Sequence, residues 1–251
     1  VTELRIENLT TEEVREAISG GIRTAILPLG ATEQHGSHLP LSMDADHADA
    51  LAVRIAHELG NALVLPTIRV GYSPHHLGFP GTLTIRASTL EALCEDYGAH
   101  LTDSGFERLI VFSGHIGNYP VMREFSGRLA AKLAPLSLVV FDDGEAIIDA
   151  WRRTADEIAS LGASVGGHAD VAETSVMLAL HPEKVRAKRY ARGFTGTVDT
   201  EFLERTFRDG IESMSPSGIL GDPHGASNAI GVACLHAVTS LIVQYARHHG
   251  A

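Results

Sequence analysis

At 251 residues, 44% hydrophobic and 20% charged, the chain has the makeup of an ordinary globular protein with room for a sizeable core. A net charge of −11 and a pI near 5.6, with no long basic run, argue against nucleic acid or an anionic membrane surface as partner. The acidic N-terminal stretch lacks signal-peptide features, and no apolar run is read as reaching the ~20 residues that span a bilayer. Cys94 and Cys234 are too far apart to suggest a disulfide framework or a thiolate zinc site, so a cytoplasmic protein is expected.

Residues 11–19 read as a short helix, with Thr10 and Glu13 at capping-box spacing. The apolar run Thr24–Leu29 is too short for a helix and suits a buried parallel strand. A glycine-bounded turn, Gly30 to Gly36, carries Glu33, Gln34 and His35, and a second loop carries His38, Asp44, Asp46 and His47. Residues two apart in an extended segment project to one side, so Glu33 and His35 can face one site, with Asp44 returning to add a carboxylate. A Glu, a His and an Asp at the carboxyl end of a strand suit zinc, manganese or iron; the plain alternative is a solvated surface pair. His38 and His47 read as surface residues.

A helix from about Ala48 to Leu59, stopped by Gly60, and an apolar strand, Ala62–Arg69, come next. The Gly-, Pro- and aromatic-rich stretch 70–84 reads as a binding loop or lid, from which His75 and His76 either reach substrate or sit on an exposed turn. Ser88 and Glu91 are spaced to cap a helix running to about Ser104. Strand Arg108–Phe112 then ends in SGHIGNYP, which places His115 at the carboxyl end of a strand, where open α/β sheets gather ligands. Gly114 and Gly117 on either side permit close approach of a ligand or a second loop.

Helix 119–134, strand Ser137–Asp142 and a helix from about Gly144 to Ser160 follow. Two glycines bring the chain to His168, and a helix starts near Asp170. Asp170 and Glu173 have capping-box spacing, so Glu173 is either a cap or a site carboxylate. Residues 183–224 are less periodic, and the mostly apolar last helix, Ala226 to about Arg247, is expected to be buried against the sheet or another subunit. Strand alternating with helix predicts an α/β class with a mainly parallel sheet, in a single domain spanning 1–251.

Fourteen histidines are an outlier for this length, and His35, His115 and His168 at strand ends are the informative ones. LGATEQHGSHLPLSMD, FSGHIGNYP, GGHADVAETS and GILGDP, in this order between about residues 22 and 226, together resemble the creatininase family of metal-dependent amidohydrolases. The resemblance implies a three-layer α/β sandwich with a mainly parallel central sheet, usually assembled as a homohexamer. It implies two divalent ions, zinc or else manganese or iron, held by Glu33, His35, Asp44, His115 and Glu173. Asp44 would bridge them, and His168 would transfer the proton. Family members that hydrolyse creatinine carry a glutamate two residues after the histidine matching His115. Here that position is Gly117, and the last carboxylate falls to Glu173.

Trp151 is the single tryptophan, where creatinine-hydrolysing relatives enclose the ring with more than one. The expected reaction is hydrolysis of a non-peptide C–N bond in a cyclic amide or a formamide, with creatinine itself disfavoured and the substrate met by His75, His76, Gly117 and Asn118. Other members deformylate a ribosylaminopyrimidine intermediate or trim a small modified peptide, and a metallopeptidase is the first alternative. From other classes, a nucleotide-binding module would draw on the Gly114–Asn118 turn, but no G-x-G-x-x-G or P-loop pattern follows a strand. A structural metal site would ordinarily be closed and cysteine-rich, unlike this one.

Overall fold

The computed structural model describes residues 3–197 and 200–249. Its elements are α1 (Thr11–Ser19), β1 (Thr24–Leu29), α2 (Met43–Leu59), β2 (Ala62–Val64), α3 (Ala87–Gly98), β3 (Arg108–Ser113) and α4 (Tyr119–Leu133). They continue as β4 (Ser137–Val140), α5 (Gly144–Ala159), β5 (Val165–His168), α6 (Val171–Leu180), α7 (Thr200–Asp209), β6 (Leu220–Gly221) and α8 (Asn228–His248), with single 3-10 turns between.

β1 is apolar or β-branched along its length and buried at every position, as a strand covered on both faces must be. It pairs in parallel with β2 and β3, and β3 pairs in parallel with β4, giving the order β2-β1-β3-β4. Ile26 is opposite both Val64 and Ile110. Helices α3 and α4 pack together on one side of this sheet, and α2, α5, α6 and α8 form the layer on the other. The fold is thus the expected three-layer α/β sandwich.

β1 leads through α2 to β2 on one side, whereas β3 leads through α4 to β4 on the other. The direction across the sheet reverses between β1 and β3. Ligand sites of open α/β sheets open outside the carboxyl ends at such a reversal. β5 and β6 form a separate antiparallel pair.

Several boundaries differ from those read in the sequence. α2 starts at Met43, earlier than Ala48, and takes in Asp44 and Asp46 as first-turn acids, where the helix dipole favours them. The strand expected to reach Arg69 ends at Val64; Pro66 has no N–H for the ladder, and only an isolated Leu29–Ile68 bridge follows. α3 stops at Gly98, short of Ser104, and begins after Arg86 with no side-chain cap from Ser88. β4 ends at Val140. The 21-residue α8 is long and apolar enough to cross a bilayer, contrary to expectation; here it is a core helix, half buried against α2, α5 and α6. Trp151 is fully buried in the core, 5.7 Å from the ring of His47, and is not among the residues that line the cavity.

Candidate metal centre

The site sits where the fold reverses. A Cβ on Gly30 would lie 2.5 Å from Ala45 Cα, and one on Gly114 would lie 2.5 Å from Asp44 O. These two glycines let the ends of β1 and β3 close on the first turn of α2, which carries Asp44 into the gap between them. The loop after β1 is closed by Glu33 N–H to the Leu41 carbonyl at 3.0 Å and turns at Gly36, whose φ of +59° favours glycine. The β5–α6 turn brings His168 and Glu173 to the same place.

Glu33, His35, Asp44, His115, His168 and Glu173 converge there, and all are buried. His35 Nε2 lies 3.2 Å from Asp44 Oδ1 and 3.5 Å from Glu173 Oε2. His115 Nδ1 lies 3.2 Å from Asp44 Oδ2, so the two oxygens of Asp44 face two different imidazoles. Glu33 Oε2 is 3.3 Å from His115 Nε2, and Glu33 Oε1 is 3.3 Å from His76 Nε2 and 3.7 Å from His168 Nδ1. Among the described residues, Glu33–His35–Asp44, His35–His168–Glu173 and Glu33–His76–His168 each bring ligand atoms within 4.8 Å of one another.

Hydrogen bonds orient the rings. His35 Nδ1 is 3.2 Å from the Glu33 carbonyl and donates to it, which turns Nε2 toward Asp44 and Glu173. His115 Nε2 donates to the Tyr72 carbonyl at 3.1 Å, leaving Nδ1 for Asp44. Both oxygens of Glu33, Asp44 Oδ2 and His35 Nε2 are buried with no hydrogen-bond partner. Buried polar atoms are ordinarily paired, so four unpartnered ones in one place make a donor set that could hold a cation. Carboxylates and imidazoles together fit zinc, manganese or iron.

The electrostatics agree. Burial pushes the Glu33 carboxyl up to about 7, against the pull of His115, and pushes Glu173 up to about 8, against His35. Burial disfavours charge on His35, yet Asp44 and Glu173 carry it up to about 10. Burial opposes His115 too, but Glu33 and Asp44 carry it up to about 9. Asp44, despite burial, is held well below the usual carboxylate range by His35 and His115. Burial and His35 push His168 well below its ordinary value, so it stays neutral. The charge on His35 and His115 thus faces the carboxylates of Asp44, Glu173 and Glu33.

Glu173 lies in the first turn of α6 but does not close a capping box on Asp170. Asp170 caps α6 by accepting from the N–H groups of Ala172 and Glu173, and Glu173 Oε2 accepts from Ala169 N–H at 2.5 Å while facing His35. His75 and His76 form a buried 3-10 turn with Pro74, so neither is exposed. Gly117 lines the cavity, and a Cβ there would lie 2.4 Å from His115 Nε2 and 2.8 Å from His75 Cε1. With His115 so placed, no side chain fits at 117.

Asn118 does not line the cavity. Its amide ties the Gly30 carbonyl, Ser113 Oγ and Tyr72 N–H together beneath the site. His38 and His47 are buried rather than on the surface: His38 Nε2 is 2.9 Å from Thr174 Oγ1, and burial pushes His47 down to about 4. Gln34, which the sequence reading passed over, contacts both His76 and His168 at 2.9 Å. The cavity measures about 710 Å³, and its outer wall comes from Gly196, Thr197, Thr206, Phe207 and Ile211.

Comparison with known proteins agrees with this frame. Residues 7–246 match the creatininase family, described as creatinine amidohydrolase. The chain is 33% identical over 211 residues to the mycofactocin precursor peptide peptidase of Mycolicibacterium smegmatis, covering 82% of this chain and 77% of that protein. It is 30% identical over 199 residues to the creatinine amidohydrolase of Pseudomonas putida, covering 73% and 74%. A crystal structure of creatinine amidohydrolase aligns with a TM-score of 0.78 at 25% identity over 100% of both chains. A manganese form of creatininase aligns with a TM-score of 0.74 at 25% identity, over 99% and 100%. With the family model matched over residues 7–246 and the fold aligned over nearly the whole length, the chain belongs to the creatininase family.

Proposed function

We propose that the chain is a metal-dependent hydrolase of a small-molecule amide or formamide C–N bond. The observation that carries this reading is the set of partnerless buried atoms on Glu33, His35 and Asp44, aimed at one another. Glu33, His35, Asp44, His115 and Glu173 would hold two divalent ions, Asp44 presenting one oxygen toward His35 and the other toward His115. Zinc is the ion proposed, with manganese or iron as alternatives. When bound, such ions would lower the pKa of water from 15.7 to about 7 and polarise an amide oxygen.

His168 moves the proton. Its Nε2 lies 2.9 Å from the Gln34 carbonyl oxygen, which takes the Nε2–H, and the bare Nδ1 then faces the site beside Glu33. A neutral imidazole in that orientation accepts a proton from the attacking water and delivers it to the leaving nitrogen. His168→Ala should lower kcat with metal content intact; unchanged turnover would reject the role. Within loop 70–84, the buried His75 and His76 wall the site off from solvent. We also propose a cytoplasmic homo-oligomer, a hexamer by family resemblance, for which the exposed Leu41, Leu77 and Leu83 offer apolar contact surface.

A second reading is trimming of a small modified peptide. It is favoured by the cavity of about 710 Å³, which lies within the range of sites for drug-sized ligands and exceeds what a small cyclic amide fills. Identity to the peptidase relatives supports it as well. The test is metal content per chain by mass spectrometry on protein purified without chelator, with a panel of amides, formamides and short peptides. About two divalent ions in wild type and about one in Glu173→Ala are expected. No metal after soaking in zinc or manganese would overturn the reading.

A further inference from the structure

The side-chain amide of Gln34 lies between two cavity histidines, and backbone groups fix which way round it sits. Gln34 Oε1 accepts from the Gly36 N–H at 3.0 Å, and Gln34 Nε2 donates to the Gly218 carbonyl at 3.1 Å. Exchanging the two ends would set donor against donor and acceptor against acceptor, so the orientation is forced. One amide hydrogen remains, and two ring nitrogens are within reach: His76 Nδ1 and His168 Nε2, each at 2.9 Å. His168 Nε2 has another partner in the Gln34 carbonyl oxygen at 2.9 Å, to which it donates. A hydrogen on His76 Nδ1, by contrast, would point at the N–H of the amide. The remaining amide hydrogen therefore goes to His76 Nδ1, and the ring proton of His76 sits on Nε2.

That Nε2–H is unspent. It lies 3.3 Å from Glu33 Oε1, yet Glu33 Oε1 takes part in no hydrogen bond. His76 lines the cavity beside Glu33 and His115, with its ring 4.6 Å from that of His168. A nitrogen that carries its proton has no lone pair for a metal, so the closeness of Glu33, His76 and His168 does not make a third ion site. What remains is a fixed donor, in a buried wall, next to the groups that do the chemistry.

We infer that His76, locked by Gln34 as its Nε2–H tautomer, donates a hydrogen bond to the carbonyl oxygen of the substrate amide, with Gln34 its positioning residue. The inference rests on the amidohydrolase reading above. An amide oxygen gains negative charge as its carbon is attacked, and a donor already in place stabilises that charge more than it stabilises the neutral carbonyl. The role selects for substrates that present a carbonyl oxygen at this point.

The first test needs no variant. Nitrogen-15 NMR of histidine-labelled wild type, metal-free and zinc-loaded, should show His76 protonated at Nε2 and bare at Nδ1 in both states. A protonated Nδ1, or an Nε2 that shifts to a metal-coordinated signature on loading, overturns the inference. The second test compares His76→Phe, which keeps the ring without the N–H, with His76→Gln, which restores an N–H near Nε2. The Phe variant should lose roughly 100- to 1,000-fold in kcat, with KM little changed and zinc content at the wild-type level. The Gln variant should recover at least about tenfold of that loss. Wild-type kcat in the Phe variant, or loss of zinc from it, overturns the donor role. Wild type that binds no divalent ion and cleaves no amide overturns the hydrolase reading and the donor role with it, while the tautomer lock stands or falls on the NMR alone.

Discussion

Glu33 and Asp170 are both carboxylates with 0% of their surface exposed, and they are buried for opposite reasons. Asp170 Oδ2 accepts from the N–H groups of Gly166 and Gly167 at 2.9 and 2.8 Å, and Oδ1 accepts from Ala172 and Glu173 at 2.7 and 3.1 Å. Every lone pair it needs to place is placed by backbone. Glu33 has no hydrogen bond on either oxygen and is faced by imidazoles instead. Burial alone therefore says little about function. A buried carboxylate whose oxygens are all matched holds a turn together, and one whose oxygens are all unmatched is poised for a ligand. Glu173 is intermediate, with one oxygen shared between a backbone N–H and His35.

Substitutions should separate the two kinds. Asp170→Ala strands four N–H groups and should cost roughly 3–5 kcal/mol of stability in urea unfolding; a loss below about 1 kcal/mol would erase the contrast. Glu33→Gln should leave the metal-free protein about as stable as wild type, because the carboxylate it replaces is fully buried with no hydrogen bond on either oxygen. Its zinc affinity, measured by chelator competition, should fall at least about 100-fold, or about 2.7 kcal/mol. Glu173→Gln keeps an oxygen for Ala169 N–H but gives up the charge. It should stay within about 1 kcal/mol of wild type in stability while losing about tenfold in affinity for one ion.

The mildest effect is on pH. His35 and His115, raised from an ordinary 6.5 to about 10 and about 9, add stability to the metal-free fold that is complete below 6.5 and lost as pH rises through 9 to 10. Zinc must displace those protons. Its apparent affinity should rise between pH 6 and 8, with proton release visible by calorimetry in buffers of different ionisation enthalpy. Glu33→Gln, which removes the leading support for charge on His115, should release fewer protons. Equal release would detach the proton balance from Glu33.

The strands were legible because β1 and β3 are unbroken apolar runs, and Glu33, His35 and His115 were legible because polar residues at strand ends stand out against them. Gln34 was not. Alternation in an extended segment sends it to the side opposite Glu33 and His35, which reads as outward, but the turn at Gly36 buries both sides of the segment. His38 and His47 looked superficial because their neighbours, Thr174 and Trp151, arrive from distant parts of the chain. The early start of α2 was readable in principle from Asp44 and Asp46, a normal first-turn pair. Placing both in a loop, with Asp44 as a ligand, hid the helix.

The outer wall of the cavity has its own footing. α7 and the turns around it rest on a small apolar cluster of Phe202, Ile211 and Leu220 with Phe79, Phe194 and Met214, separate from the main core. The acids and imidazoles of the site hang instead on the ends of β1, β3 and β5 and on the first turns of α2 and α6. Sequence drift in the wall therefore need not disturb the chemistry behind it, and the two parts can evolve at different rates. Such modularity gives a physical basis for one scaffold to serve relatives named for a peptide and for creatinine, at similar distances from this chain.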